Sequence, residues 1–266
     1  MAAKINKGID LGGKSAIVTG AGGNIGRAIS LALAAHGAEV LACDVALEPA
    51  QKTADLIIEN GGNAAAFAVD VTKEEDAFAM VDKAVELFGK LDLIYNNAGI
   101  CTVYPVEDMP AERWDQIFAV NCKGVFLGSK AAIKQMKKQG GGRIINTASQ
   151  AGKMAIPEQS HYCATKAAVI GFTRSLAIEL KDDNILVNCF CPGSVMSDMT
   201  MREAEAFKAA HGTPIEESIA NWQKAIPLGR WVTPEDVADI AVFLASEYSG
   251  YMTGQAVNIT GGQMLY

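Results

Sequence analysis

The sequence predicts a doubly wound α/β domain, in which helices cover both faces of one parallel sheet of seven strands. Two observations support this fold class. Short apolar runs alternate along the chain with longer stretches of helical periodicity, and strands that are apolar almost throughout are typical of a sheet buried on both faces. A length of 266 residues suits a single large core, so we expect one domain over residues 1–266.

Seven segments have the composition of buried strands, and longer segments between them have that of helices. The expected strands are residues 15–19, 39–43, 65–69, 91–95, 143–148, 185–190 and 256–259. The expected helices begin near Arg27, Leu47, Glu74, Ala111, Tyr162 and Pro234. Residues 194–226 interrupt this alternation. Because a long excursion beyond the carboxyl end of a strand often covers a binding site, we expect a substrate lid there, with a functionless pair of surface helices as the alternative.

The first strand runs into a glycine-rich segment, TGAGGNIG, over residues 19–26. Such a turn, followed at once by a helix, lets backbone N–H groups and the helix dipole approach a pyrophosphate. We expect Gly20 to form the tight turn and Gly26 to allow close contact between helix and strand, with Asn24 and Ile25 between them. Asn24 stands where a glycine is usual, and because asparagine tolerates left-handed backbone angles, the turn should persist. The segment predicts a dinucleotide-binding site.

The second strand is followed by Asp44. A carboxylate at this position accepts hydrogen bonds from both hydroxyls of the adenosine ribose and repels a 2′-phosphate. Residues 45–47 supply no lysine or arginine to neutralise such a phosphate, so we expect NAD as the cofactor rather than NADP. Arg27 weakens this prediction, since it begins the adjacent helix and could reach a 2′-phosphate. An alternative or additional role for Asp44 is that of N-cap for the helix near Leu47.

Composition and charge exclude several other functions. The formal net charge of −7 and the pI of about 5.1 disfavour nucleic acid and acidic membranes as partners, because both require clustered lysine and arginine. The start of the chain lacks the apolar region of a secretory signal, and no apolar run approaches the roughly 20 residues that span a bilayer. We therefore expect a cytoplasmic protein. The six cysteines are scattered, so we interpret them as reduced thiols and expect no metal.

Further segments follow one another in a specific order. They are NNAG at 96–99, FAVNCKG at 118–124, NTASQAG at 146–152, SHYCATK at 160–166 and CPGSVMS at 191–197. Together with the glycine-rich turn, they resemble the short-chain dehydrogenase/reductase family from residue 11 to residue 266. The resemblance implies a Rossmann-like fold, a nicotinamide cofactor and oxidoreductase activity on an alcohol or ketone. It also implies a catalytic tetrad of Asn121, Ser149, Tyr162 and Lys166.

Tyr162 and Lys166 lie four residues apart, so on a helix their side chains share one face. Oxidation of an alcohol requires a base for the hydroxyl proton, and a free phenol is too weak an acid to ionise at neutral pH. Since a lysine ammonium one turn away favours the phenolate, we expect Tyr162 to be the general base and Lys166 to lower its pKa. We expect Ser149 to donate to the substrate oxygen. The resemblance implies that Lys166 also holds the nicotinamide ribose and that Asn121 holds a water linking Lys166 to solvent.

The resemblance implies further cofactor contacts. These are Asp70 and Val71 at the adenine, Asn97, Ala98 and Gly99 along the adenosine ribose, and Pro192, Gly193, Val195 and Ser197 at the nicotinamide amide. Ser197 stands where threonine is commoner in the family. Because serine keeps a hydroxyl group, we expect this contact to persist.

The sequence defines the substrate less closely. Residues 149–169 and 251–266 look most like the polyol and diol branch of the family, which includes sorbitol, sorbitol-phosphate, acetoin and butanediol dehydrogenases. Residues 194–226 carry more acidic than basic side chains, which disfavours a phosphorylated substrate, although Lys153 and His161 could supply a local positive site. The expected substrate contacts are Ser149, Gln150, Gln159 and Tyr162.

Other functions stay open. The methionines and Trp222 of residues 194–226 could clasp a bulky apolar substrate such as a hydroxysteroid. A 3-oxoacyl reductase is disfavoured by Asp44 and by the lack of a basic patch for an acidic carrier protein. A non-catalytic NAD-binding sensor would need the cofactor half alone, whereas this chain has a complete tetrad. The resemblance further implies a homotetramer, packed through helices near residues 111–138 and 162–180.

Overall fold

The computed structural model describes residues 8–266, and within them seven strands form one parallel sheet in the order β3-β2-β1-β4-β5-β6-β7. Each strand is parallel to its neighbours. The strands are β1 (Ser15–Thr19), β2 (Glu39–Asp44), β3 (Ala64–Ala68), β4 (Leu93–Asn96), β5 (Gly142–Thr147), β6 (Ile185–Pro192) and β7 (Ala256–Ile259). The predicted doubly wound α/β class is confirmed.

Helices connect the strands. They are α1 (Asn24–Ala35), α2 (Leu47–Glu59), α3 (Glu74–Phe88), α4 (Ala111–Phe118), α5 (Gly124–Gln139), α6 (Ser160–Glu179), α7 (Asp198–His211), α8 (Ile215–Lys224) and α9 (Pro234–Ala245). A π-helical turn, Ala119–Lys123, joins α4 to α5 without a break. The predicted lid segment, residues 194–226, contains α7 and α8. Among the described residues, no helix is both long enough and apolar enough to cross a membrane.

Apolar side chains pack on both faces of the sheet. Along β1, whose residues are all buried, Ala16 and Val18 contact the cluster formed with α1 and α9, whereas Ile17 contacts the cluster formed with α3, α5 and α6. This alternation follows from the period of two residues in a strand. It requires apolar residues at successive positions in the middle of β1, Ala16, Ile17 and Val18, which is the pattern that predicted a sheet covered on both sides.

The order of the strands reverses between β1 and β4, which are neighbours in the sheet. Connections from the two strands therefore leave in opposite directions, and a crevice opens at the carboxyl edge of the sheet. The glycine-rich turn follows β1 at this edge, and Ser149 lies just beyond the end of β5. The fold thus brings the two sequence-predicted halves of the site to the same edge.

Candidate active site

One cavity of about 710 Å³ opens at the carboxyl edge of the sheet. It extends from the turn after β1 to helices α7 and α8. All the residues predicted above to contact the cofactor or the substrate line this cavity. Of the predicted tetrad, Ser149, Tyr162 and Lys166 line it, while Asn121 lies behind its wall. The structure therefore brings the predicted residues together, and their individual roles stay predictions.

The glycine-rich turn makes the phosphate end of the cavity. Gly20 has a positive φ of 65°, and a Cβ atom at Gly26 would clash with the carbonyl oxygen of Gly20. Asn24 is the first residue of α1 and is not in the left-handed region, so the turn forms with asparagine at this position without needing its tolerance of left-handed angles. Within residues 8–266, no side chain caps α1, and the first turn of this helix carries no acidic residue. Its free N–H groups therefore fit a pyrophosphate.

Asp44 is held against the same turn. Its Oδ2 atom accepts a hydrogen bond of 3.0 Å from the Gly22 N–H, a contact that the sequence analysis did not foresee. The N-cap of α2 is Ala46, with no side-chain hydrogen bond, so the alternative role of Asp44 as a helix cap is wrong. Arg27 donates to the Gly22 carbonyl oxygen at 2.8 Å and to Thr53 Oγ1 at 3.2 Å. It is thus engaged with the turn and α2.

The segment after β4 cross-links the strand ends in the middle of the cavity. The Asn97 side chain donates to the Thr19 carbonyl oxygen at 3.0 Å and accepts from Thr147 Oγ1 at 3.1 Å. A Cβ atom at Gly20 would lie 2.9 Å from the Ala98 Cα atom, so the two turns approach as closely as backbones allow. Because these bonds join β1, β4 and β5, the floor of the cavity is fixed by the sheet.

Tyr162 and Lys166 lie on α6 and both line the cavity. The Lys166 Nζ atom is 5.6 Å from the centroid of the Tyr162 ring, and it donates to the Thr147 carbonyl oxygen at 2.9 Å. Ser149 Oγ accepts a hydrogen bond of 3.1 Å from the Ala151 N–H. Ser149 Oγ also lies within hydrogen-bond reach of the Tyr162 phenol.

Burial dominates the electrostatics of these groups. It raises the pKa of Tyr162 well above its ordinary value, Cys101 and Glu203 add to that rise, and the Ser149 hydroxyl opposes it. Burial also lowers the pKa of Lys166 to about 8. The prediction that Lys166 lowers the pKa of Tyr162 stays a prediction.

Asn121 lies in the π-helical turn and joins two other elements. Its Oδ1 atom accepts from the Ile100 N–H at 2.9 Å, and its Nδ2 atom donates to the Ile100 carbonyl oxygen at 2.9 Å and to Thr165 Oγ1 at 3.1 Å. A Cβ atom at Gly99 would lie 3.3 Å from Asn121 Oδ1 and 3.5 Å from Lys166 Nζ. Asn121 therefore supports the segment beside Lys166. The water relay implied by the resemblance stays a prediction.

The substrate end of the cavity is formed by the residues after β5 and by the lid segment. Gln150 is buried, and its Oε1 atom has no hydrogen-bond partner among the described residues. Gln159 is also buried and lines the cavity. On α7, Met199, Glu203 and Phe207 line it at successive four-residue intervals. Sequence reasoning missed Glu203, although this spacing on one helical face was a readable signal.

Lys153 and His161 do not supply the positive site that the sequence suggested. Lys153 Nζ donates to the Ala256 carbonyl oxygen at 2.9 Å and to Asn258 Oδ1 at 2.7 Å, so it anchors β7. His161 is fully buried, its Nε2 atom lies 2.7 Å from Thr102 Oγ1, and burial lowers its pKa. That expectation is wrong, because both side chains bind the protein rather than face the cavity.

Comparisons with known proteins identify the family. A family model described as enoyl-(acyl carrier protein) reductase matches residues 20–264. The chain is 42% identical to an uncharacterised oxidoreductase of Thermotoga maritima, over 94% of this chain and 97% of that protein. It is 37% identical to 2-(S)-hydroxypropyl-CoM dehydrogenase 3 of Xanthobacter autotrophicus, over 92% and 94%. It is 36% identical to a 3-oxoacyl-(acyl-carrier-protein) reductase of T. maritima, over 96% and 99%.

Solved structures agree. A short-chain type dehydrogenase/reductase from Mycobacterium marinum has a TM-score of 0.88 at 38% identity, with 97% of this chain and 98% of that chain covered. A candidate NAD(P)-dependent gluconate 5-dehydrogenase from Beutenbergia cavernae, with bound NADP at low occupancy, has a TM-score of 0.86 at 35% identity, over 96% and 98%. The fold and the site define an oxidoreductase that binds a nicotinamide cofactor. This chain belongs to the short-chain dehydrogenase/reductase family.

Proposed function

We propose that this protein is an NAD-dependent oxidoreductase that interconverts a secondary alcohol and a ketone in a polyol, sugar alcohol or small diol. The observation that carries the substrate class is Gln150. Its buried Oε1 atom has no partner among the described residues, and the side chain lines the same cavity as Ser149 and Tyr162. A buried acceptor without a donor costs free energy. A further hydroxyl group of a polyol substrate would satisfy it.

Contacts around the cavity and the similar proteins support a hydroxyl-bearing substrate. Lys153 and His161 are bound within the protein, so neither is free to bind a phosphate or carboxylate. The similarity to the candidate gluconate 5-dehydrogenase supports a substrate with several hydroxyl groups. The similarity to 2-(S)-hydroxypropyl-CoM dehydrogenase supports oxidation of a secondary alcohol.

Three side chains have separate roles in the reaction. A bound oxidised nicotinamide cofactor would supply the hydride acceptor and a positive charge. Tyr162 Oη takes the hydroxyl proton of the substrate, and Ser149 Oγ donates to the same oxygen and stabilises the charge that develops there. The Lys166 ammonium, one helical turn away on α6, favours the phenolate.

Asp44 supports NAD as the cofactor. Its carboxylate lines the cavity beside the glycine-rich turn, where a 2′-phosphate would meet a second anion. Arg27, the side chain that could neutralise that phosphate, binds Gly22 and Thr53. The Beutenbergia structure contains bound NADP. The preference of this protein for NAD over NADP therefore has to be measured directly.

A substrate screen tests the proposal. The purified protein is mixed with NAD or NADP and with polyols, sugar phosphates, diols, 3-oxoacyl thioesters and hydroxysteroids, and the absorbance of the reduced cofactor is followed. We expect turnover of a polyol or diol with NAD, and none in the Tyr162→Phe variant, which controls for contaminating dehydrogenases. Turnover confined to steroids or 3-oxoacyl thioesters would refute the substrate class. Cofactor binding without turnover of any alcohol or ketone would indicate a sensor.

A bulky apolar alcohol, such as a hydroxysteroid, is the second candidate substrate. It is favoured by the apolar side chains of the lid segment, Met199, Phe207 and Trp222, which line the cavity together. Phe207 and Trp222 pack edge to face with their ring centroids 5.5 Å apart, so part of this surface contacts itself. The same screen separates the two candidates.

We also propose a homotetramer. The outer faces of α4, α5 and α6 expose Trp114, Phe126 and Ile178, which are 43%, 45% and 68% exposed. Large apolar side chains grouped on helical faces favour association with another subunit. Light scattering at micromolar concentration tests this, and a monomer would refute it.

A further inference from the structure

Glu203 is an acidic side chain in an otherwise apolar row. On α7 it lies between Met199 and Phe207, one turn away on either side, and all three line the cavity. Glu203 is partly buried, whereas Glu205 on the same helix is exposed. A carboxylate avoids such surroundings unless donors satisfy it.

The neighbours of Glu203 satisfy it in part. The Gln159 amide and the Cys101 thiol favour its charged form, although burial, the larger effect, raises its pKa. Glu203 is also close enough to Tyr162 to raise the pKa of that phenol. An ionised carboxylate has about four lone-pair positions. The Cys101 thiol, whose single proton is also directed to the Thr102 carbonyl oxygen at 3.7 Å, and the Gln159 amide cannot fill all of these positions, so acceptor capacity remains for a ligand.

We propose that Glu203 is a specificity-determining residue that accepts a hydrogen bond from a second hydroxyl group of the substrate and disfavours anionic substrates. This inference rests on the proposed function and deepens it. Glu203 reaches the cavity from the lid segment, while Gln150 lies beyond the end of β5. The site thus presents acceptors from two elements to a substrate that carries donors. A carboxylate, phosphate or sulfonate on the substrate would meet the charge of Glu203 instead.

The test compares three small secondary alcohols in the complete protein with NAD: butanediol, secondary butanol and lactate. The variants are Glu203→Gln and, as a matched control on the exposed face of α7, Glu205→Gln. We expect the wild type to prefer butanediol to secondary butanol by about tenfold or more in kcat/KM, as for one hydrogen bond to a charged group. Glu203→Gln should lose most of this preference and should raise kcat/KM for lactate relative to secondary butanol. Glu205→Gln should match the wild type.

The opposite changes for butanediol and lactate distinguish a role in specificity from a structural one, because a distorted site would lower all three rates together. If the wild type oxidises butanediol and the two variants behave alike, the role of Glu203 is refuted and the proposed function stands. If the wild type oxidises no diol or polyol, the proposed function and this inference are both refuted.

Discussion

The two ends of the cavity are built differently. At the cofactor end, the contacts come from backbone groups and short side chains that the sheet holds in place, such as the Gly22 N–H on Asp44 and the Asn97 amide on Thr19. At the substrate end, they come from longer side chains on α7 and α8, such as Glu203 and Phe207. The fold therefore determines how the cofactor binds, whereas a few lid side chains can change the substrate without disturbing the sheet.

The lid segment is joined to the rest of the protein by local contacts. Val195 and Val232 form an isolated parallel bridge across its base. Near the end of α7, His211 Nε2 lies 2.9 Å from the Glu158 carboxylate. Glu158, which precedes α6, thus contacts the lid segment. The comparison predicts that substitutions at the cofactor end act on binding and folding together, while those at the substrate end act mainly on specificity.

The largest expected effect on activity is at Tyr162, which lies where the cofactor end and the substrate end of the cavity meet. Tyr162→Phe removes the oxygen that transfers the proton and leaves the shape of the side chain, so kcat should fall by about 10²–10⁴-fold. The dissociation constant for NAD, measured by fluorescence titration, should change little. Wild-type turnover in this variant would refute the role of Tyr162. A large loss of NAD affinity would show that the two ends are not separable.

The second effect concerns cofactor choice at Asp44. We expect kcat/KM to favour NAD over NADP by at least about 10²-fold, because NADP loses charge-assisted hydrogen bonds worth about 1.5–3 kcal/mol each and places a phosphate beside the carboxylate. Asp44→Ala combined with Val45→Arg should narrow or invert this ratio. Steady-state rates with both cofactors decide the matter. Equal efficiencies in the wild type would show that Arg27 leaves Gly22 and Thr53 to bind the phosphate.

The third prediction uses two adjacent glycines. A Cβ atom at Gly22 would clash with the Pro49 side chain and lie 3.0 Å from Asp44 Oδ2, whereas one at Gly23 would meet nothing closer than the Gly20 carbonyl oxygen at 3.5 Å. Gly22→Ala should therefore lower the free energy of unfolding by about 1–3 kcal/mol and weaken NAD binding, and Gly23→Ala should do so much less. Urea unfolding and NAD titration measure both. Equal effects of the two substitutions on stability and NAD binding would contradict the interpretation that packing against Pro49 fixes this turn.

The smallest effect is expected beside the lid segment. Thr233 and Asp236 form a capping box at the start of α9, and Arg230 Nη2 donates to Asp236 Oδ1 at 2.9 Å. Asp236→Asn should lower the free energy of unfolding by about 1 kcal/mol at neutral pH. Asp239→Asn, an exposed change on the same helix, serves as the control.

The pH dependence of this contribution follows from the pKa of Asp236, which the Arg230 guanidinium lowers to about 2 from an ordinary value of 3.8. The folded state therefore binds the proton less readily than the unfolded state. The stabilisation is complete above pH 3.8 and is lost as the pH falls towards 2. Unfolding curves over this range should converge for the wild type and Asp236→Asn. A constant difference in the free energy of unfolding between the two proteins over this pH range would contradict a stabilising role for the ionised Asp236 carboxylate.

The sequence predicted the strands and their parallel arrangement because burial on both faces leaves a local apolar signal. Their ends were less predictable. β6 continues to Pro192, two positions beyond the predicted end at residue 190, because its backbone still pairs with β7 there. Likewise, α1 begins at Asn24 rather than near Arg27. Pairing and capping depend on the backbone, which composition describes poorly.

Within the site, the residues that belong to ordered motifs could be placed from the sequence, since the fold carries each motif to the same edge of the sheet. Long-range partners could not. The burial of His161 depends on Thr102, and the position of Glu203 depends on how α7 packs near Cys101. Neither pair is close in sequence. The hydrogen bond from Lys153 to β7 could not be predicted for the same reason, since it joins residues that are far apart in sequence.

The π-helical turn between α4 and α5 has a consequence for the tolerance of this chain to length changes. A turn of this kind holds one more residue than the α-helical register needs, so the helix is out of phase across Ala119–Lys123. Deletion of one residue there would restore an ordinary helix and remove the offset that directs Asn121 towards Ile100 and Thr165. The same deletion inside α5 would instead rotate its buried face out of the core. The protein should therefore still fold after the natural loss of one codon in this turn. The active site would change, because the position of Asn121 would change.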